Sequence, residues 1–172
     1  MHLLCDLRNN GGRLFFLGVG DGSGNASHAV NDFHKIAGIE AYTPTDNVSE
    51  LTARINDDGW DTAYVDWLQT CRLSSRDMVF VISVGGGDAA RNISTNPVHA
   101  LQYAQEVGAK ICGVVGRDGG FMAKIGCACV VNPVVNQAKT TPYSETFQAV
   151  VWHLLVSHPD LQLSEMKWES VR

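Results

Sequence analysis

A doubly wound α/β sandwich on a mostly parallel sheet is the fold this sequence predicts, and three observations predict it. Four short runs, "RLFFLG" (13–18), "MVFVISV" (78–84), "AKICGVVG" (109–116) and "CACVVNP" (127–133), are apolar and β-branched and run into glycine or proline. Short apolar runs of this kind are strands buried on both faces. Amphipathic segments separate them, and strands alternating with helices call for parallel pairing under two helical layers. Glycine-rich turns follow three of the runs, at the strand ends where open parallel sheets bind their ligands.

The elements follow in chain order. Apolar spacing predicts helices over 25–37, 47–56, 60–71 and 96–108. The last of these has Pro97 near its first turn, where a missing N–H costs no helical bond, and Gly108 at its end. A longer helix spans about 142–157, with Phe147, Val150, Val151, Leu154 and Leu155 as its apolar background. "GIEAY", around Glu40, is too short to read as a strand end. The tail after Pro159, "DLQLSEMKWESVR", reads as a short helix or a frayed end. Neither repeat nor linker interrupts the 172 residues, so one domain over 1–172 is expected.

Composition narrows the function. The chain is 45% apolar with a formal charge of −5 and has no run of eighteen apolar residues, which argues against a membrane span. Lysine and arginine are scattered rather than gathered in a stripe, which argues against a nucleic-acid surface. The opening "MHLLCDLRNNGG" has no apolar signal-peptide region, so a cytoplasmic protein is expected. Five cysteines make an odd count, and Cys127 and Cys129 alternate on an expected strand, so buried free thiols are expected. Trp60, Trp67, His99 and His158 are read as core, surface or cap residues.

The glycine loops are "GVGDGSG" (18–24), "SVGGGDAARN" (83–92) and "GRDGG" (116–120). Glycine lets backbone N–H groups approach a ligand, and a following helix points its positive end at the same place, so a phosphate or sugar phosphate is the expected ligand. A dinucleotide fingerprint is the weaker reading: Gly18-x-Gly20 follows a strand and Glu40 lies about twenty residues on, but Ser23 stands where the third glycine belongs.

Behind the first loop, "SHAVNDF" places His28 and Asp32 four apart, on one helical face. They read either as half of a metal or proton-transfer site or as an ordinary i,i+4 pair, with Asn31 and His34 pointing elsewhere. Glu145 and His153 lie within the apolar last helix, where a polar side chain needs a partner. Eight residues rise about 12 Å along a helix, so spacing alone does not bring those two to one ion.

The run "GVGDGSGNASHAVNDF", then "INDDGW", "VISVGGGDAARN", "VGRDGG" and "ETFQAVVWHLL", resembles in order and spacing the sugar isomerase (SIS) domains of the phosphoheptose isomerase family, over about residues 13–157. The resemblance implies a flavodoxin-like three-layer sandwich, a homotetramer or dimer with sites near subunit interfaces, and zinc. It implies isomerisation of sedoheptulose 7-phosphate to D-glycero-D-manno-heptose 7-phosphate through an enediol, for lipopolysaccharide or capsule precursors. It carries the metal positions onto His28, Asp32, Glu145 and His153, the base onto Asp32 and the partner acid onto His153. The substrate positions fall on Gly20, Asp21, Gly22, Ser23, Asn56, Asp57, Ser83, Val84, Gly85 and Asp88.

The chain departs from that pattern in several places. Asp32 stands for the family's glutamate and Glu145 for its glutamine, both competent oxygen ligands for zinc, iron or manganese. Hydroxyls are lost from the first two loops, and Asp88 brings a carboxylate towards an expected phosphate, so either Asp88 caps its own turn or the ligand differs. About twelve residues precede the first strand where the family has a long helical arm. The alternative implied function is a non-catalytic SIS module that binds a sugar phosphate or a protein partner in a regulatory role.

Overall fold

A computed structural model describes residues 1–165. The chain order is α1 (His2–Asn9), β1 (Leu14–Gly18), α2 (Asp21–Lys35), β2 (Ala41–Tyr42), α3 (Val48–Asp58), α4 (Ala63–Thr70), β3 (Met78–Ser83), α5 (Thr95–Glu106), β4 (Lys110–Val115), α6 (Gly120–Ile125), β5 (Ala128–Val131) and α7 (Thr140–Val156), with a 3-10 turn over Gln137–Lys139 before α7. The five strands form one sheet in the order β2-β1-β3-β4-β5, every pair parallel. The end of the tail, residues 166–172, lies outside the described residues. Among the described residues no helix is long and apolar enough to cross a membrane.

Side-chain alternation along the strands builds the two apolar layers. Leu14 and Phe16 of β1, Met78, Phe80 and Ile82 of β3 and Val114 of β4 face one side, with Phe33 of α2 and Trp152 of α7. Phe15, Leu17, Val79, Val81 and Ile111 face the other, under Tyr64 and Trp67 of α4 and Leu101 of α5. With a period of two, each strand serves both layers, so the runs read as continuously apolar. The crossover after β1 therefore goes to one face and that after β3 to the other, and the crevice between them opens where such sheets bind ligands.

Several elements differ from expectation. The two-residue β2 and the short α1 and α6 are present, and α1 buries Leu4 and Leu7. The run 127–133 is not a strand buried on both faces: β5 is an edge, with Val130 and Val131 each 43% exposed. All five thiols are free, but Cys127 is exposed and only Cys112 is fully buried, where burial pushes its thiol up to about 11. At the amino ends of the strands the Asp77 carboxylate accepts from the Arg13 backbone N–H and guanidinium and from the Ser74 N–H and hydroxyl, at 2.8 to 3.2 Å.

Candidate functional site

The loops at the carboxyl ends of β1, β3 and β4 enclose a cavity of about 630 Å³. The second and third glycine loops form its floor by fastening backbone to backbone. Gly116 donates to the Val84 carbonyl (3.0 Å), Phe121 to Gly87 (2.8 Å) and Met122 to Gly86 (3.0 Å). Gly86 has φ +68, and a Cβ there would lie 2.0 Å from the Gly119 carbonyl oxygen, so the junction has room only for glycine. Below the first loop, the buried Tyr64 hydroxyl donates to the Gly18 carbonyl at 2.6 Å, and burial pushes that phenol up to about 12.

The expected substrate positions divide. Gly22, Ser83, Val84, Gly85 and Asp88 line the cavity. Gly20, Asp21 and Ser23 do not: Gly20 caps α2 at φ +61, and the Ser23 hydroxyl turns back to the Gly20 carbonyl at 2.6 Å. Asn56 and Asp57 are exposed on α3, a helix without a fully buried residue, and hydrogen-bond each other at 2.8 Å, away from the cavity. Asp88 caps its own turn, accepting from the Ala90 and Arg91 N–H groups (3.0 Å each) and pairing with Arg91 Nε at 2.6 Å. The Arg91 bond, with those N–H groups, holds its carboxyl below the usual range, so its charge is already balanced.

The second part of the site lies where α2 packs beside α7. His28, Asp32 and His153 bring ligand atoms within 4.8 Å of one another. His28 Nε2 is 3.7 Å from Asp32 Oδ2, and the His28 ring stands edge-on to Trp152 and His153 at centroid separations of 4.7 and 5.4 Å. Asp32 is 6% exposed, and its Oδ1 accepts from Asn31 Nδ2 at 2.9 Å, so Asn31 supports the cluster instead of pointing elsewhere. Its buried Oδ2 has no hydrogen-bond partner. His153 Nδ1 lies 2.7 Å from the Ala149 carbonyl, which only accepts, so Nδ1 carries the proton of the neutral ring and Nε2 the lone pair. His34 has a structural part: its Nε2 accepts from the Ala41 N–H at 2.8 Å, tying α2 to β2.

Glu145 is not in that cluster. It meets Asp21 at the start of α2, and burial, Asp21's charge and a hydrogen bond between the two carboxyls all raise its pKa. Asn25 clips the two helices together one turn on, donating to the Glu145 carbonyl at 3.1 Å. The eight-residue spacing is the reason: along a helix it carries Glu145 about 12 Å from His153.

Sequence reasoning missed Arg117, Lys124 and Gln148, all on the cavity wall. Gln148 is fully buried on α7 with neither amide atom hydrogen-bonded. It was discoverable by the argument applied to Glu145, a polar side chain in an apolar helix. His153 follows it by five residues, about 7.5 Å of helical rise.

Fold and cluster together define a sugar isomerase type of α/β sandwich, with a glycine-loop cavity and a histidine–carboxylate cluster on the adjoining helix pair. The phosphoheptose isomerase structure from Neisseria gonorrhoeae superposes with a TM-score of 0.75 at 22% identity, covering 90% of this chain and 80% of that one. The phosphoheptose isomerases of Syntrophotalea carbinolica and Aliarcobacter butzleri are 31% and 30% identical over 159 residues, each alignment covering 90% of this chain and 76% of the relative. The chain belongs to the phosphoheptose isomerase family. No family profile matches it.

Proposed function

We propose that the protein is a metal-dependent aldose–ketose isomerase of phosphosugars, converting sedoheptulose 7-phosphate to D-glycero-D-manno-heptose 7-phosphate for surface-polysaccharide precursors. The observation that carries this reading is the buried Asp32 Oδ2, which accepts no hydrogen bond within the His28, Asp32 and His153 cluster. A buried carboxylate oxygen without a hydrogen bond is costly, and a cation held by it and two imidazoles removes that cost. Two imidazole nitrogens and a carboxylate are a donor set that would suit zinc. The ion supplies Lewis-acid polarisation of the sugar carbonyl and steadies the enediolate.

The protein's own groups move the protons. Asp32 takes one from C1 as the C1–C2 double bond forms, and the carbonyl oxygen at C2 becomes a hydroxyl. Return of the proton to C2, with loss of the C1 hydroxyl proton, leaves an aldehyde at C1. His153 Nε2 serves either as a ligand through its lone pair or, once protonated, as the acid towards the carbonyl oxygen, not both at once. The cavity takes the phosphate end, and an extended sugar phosphate spans the helical rise between the cavity wall and the cluster. The regulatory-module alternative needs the cavity alone and gives no use to the cluster.

Metal analysis separates the roles. The purified protein is expected to hold about one zinc per chain, with activity falling at least about tenfold on chelation and returning with added zinc. Full activity in metal-free protein would assign His153 to acid chemistry and exclude the metal.

A second copy of the chain is the proposed cover for α7. Tyr143, Phe147, Val150 and Leu154 form an exposed apolar stripe on that helix, between 46% and 64% accessible, beside the half-exposed His28. Light scattering is expected to read a dimer or tetramer, and one chain per particle at working concentration would contradict this.

A further inference from the structure

The cavity wall carries three cationic side chains, Arg91, Arg117 and Lys124, and two carboxylates, Asp88 and Asp118. They are not equivalent. Arg91 is held by Asp88, within a loop closed by paired backbone bonds between Asp88 and Ile93 (3.0 Å each). Asp118 Oδ1 accepts from the Gly120 N–H at 3.2 Å. Arg117 makes no ion pair or side-chain hydrogen bond among the described residues, although Asp118 is its neighbour in sequence.

Its backbone is held in a conformation few side chains adopt. Arg117 has φ +54, a left-handed geometry that costs a non-glycine residue about 1 kcal/mol or more. The bonds from Gly116 to Val84 and from Gly119 to Gly116 fix the loop on either side. The outcome is a guanidinium laid over the second glycine loop: a Cβ at Gly85 would touch Arg117 Cδ and Nη1, both at 3.9 Å. Beneath it, neither the Gly85 nor the Gly87 N–H donates a hydrogen bond among the described residues. That loop offers one hydroxyl, Ser83, whose Oγ accepts from the Gly86 N–H at 3.0 Å. Gly85, Gly87 and Arg117 line the same cavity, and unused backbone donors beside a planar cationic fork are the chemistry that binds a tetrahedral dianion.

We propose that Arg117 is the specificity-determining residue for the substrate's phosphate, clamping it against the Gly85–Gly87 backbone. The proposal rests on the isomerase reading for the identity of the sugar, but not for the anion. It accounts for a loop with few hydroxyls: the guanidinium supplies the donors, and Arg91 has already cancelled the opposing charge of Asp88.

The test compares Arg117→Met and Arg117→Lys with the parent protein in the presence of zinc. Both replacements keep a Cβ and so keep the backbone cost, which isolates the head group. Calorimetry with inorganic phosphate is expected to show about ten- to a hundredfold weaker binding in Arg117→Met. With sedoheptulose 7-phosphate, KM is expected to rise by a similar factor while kcat stays within about threefold. Arg117→Lys should fall between, since an ammonium keeps the charge and loses the fork. Lys110→Met, at the amino end of β4, should change neither value. Phosphate affinity and KM unchanged in Arg117→Met would overturn the proposal. Phosphate binding that depends on Arg117 in a protein that turns over no heptose phosphate would support it while removing the isomerase reading, so the two fail separately.

Discussion

Replacing Asp32 by asparagine is expected to lower kcat by about a thousandfold without weakening the fold. The rate loss follows from the proposed role of Asp32 as general base, a role whose contribution lies in the range of about 10² to 10⁴. Stability moves the other way or not at all. Asp32 Oδ2 is buried without a hydrogen bond, with the His28 ring nitrogen 3.7 Å away, and a neutral amide of the same shape relieves the cost of burying a charge there. The parent protein should therefore gain thermal stability from zinc by mass action, and Asp32→Asn should gain much less. Calorimetric melts with and without zinc, beside steady-state rates, check both parts. Retained activity would remove Asp32 from the role of base, and a large fall in metal-free stability would show that the carboxylate serves structure.

The largest effect on stability is expected far from that site. Asp77→Ala should destabilise the protein by about 2–4 kcal/mol, read from denaturant midpoints at neutral pH. Asp77 is 2% exposed and accepts five hydrogen bonds from Arg13 and Ser74, which join the first residue before β1 to the turn before β3. Truncation leaves those donors without their acceptor. The pH dependence has a definite sign. Burial pushes this carboxyl up, but the hydrogen bonds from Arg13 and Ser74 outweigh it and leave the folded value below the ordinary one. A depressed folded value adds stability above the unfolded carboxylate's pKa of about 3.9, and that contribution disappears as pH falls through the folded value. The gap between parent and variant should thus be widest near neutrality and narrow in acid. A gap that grows on acidification would contradict the assignment.

Most of the architecture was legible because two periodicities differ. Strands buried on both faces leave continuous apolar runs, and the helices between them show their 3.6-residue stripe. What escaped was short or glycine-laden. Two residues of β2 carry no periodic signal, and α6 opens in a glycine pair. Helix α2 starts four residues before the expected 25, because Gly22 and Gly24, read as loop, are helical. A Cβ at Gly22 would lie 2.6 Å from the Ile82 carbonyl, so that glycine records close packing of helix on strand rather than a turn.

The candidate site was legible in the same uneven way. His28 and Asp32 share a face by helical spacing alone, and the resemblance placed His153 beside them. Glu145 was misplaced because helical rotation turns it towards Asp21, which a linear motif match does not register. Asn56 and Asp57 match in sequence but sit on a helix whose packing leaves them in solvent. Arg117 was hidden for a different reason: its meaning depends on one loop lying over another, and no spacing along the chain encodes that.

Solvent exchange at the substrate measures the central claim most directly. Sedoheptulose 7-phosphate is incubated in deuterium oxide with the zinc-loaded protein and followed by proton NMR. Loss of a C1 proton signal at a rate comparable to or above aldose formation is expected, with deuterium also appearing at C2 of the product, and both should vanish in Asp32→Asn. Aldose formation or solvent exchange undiminished in that variant would contradict an enediol made by Asp32.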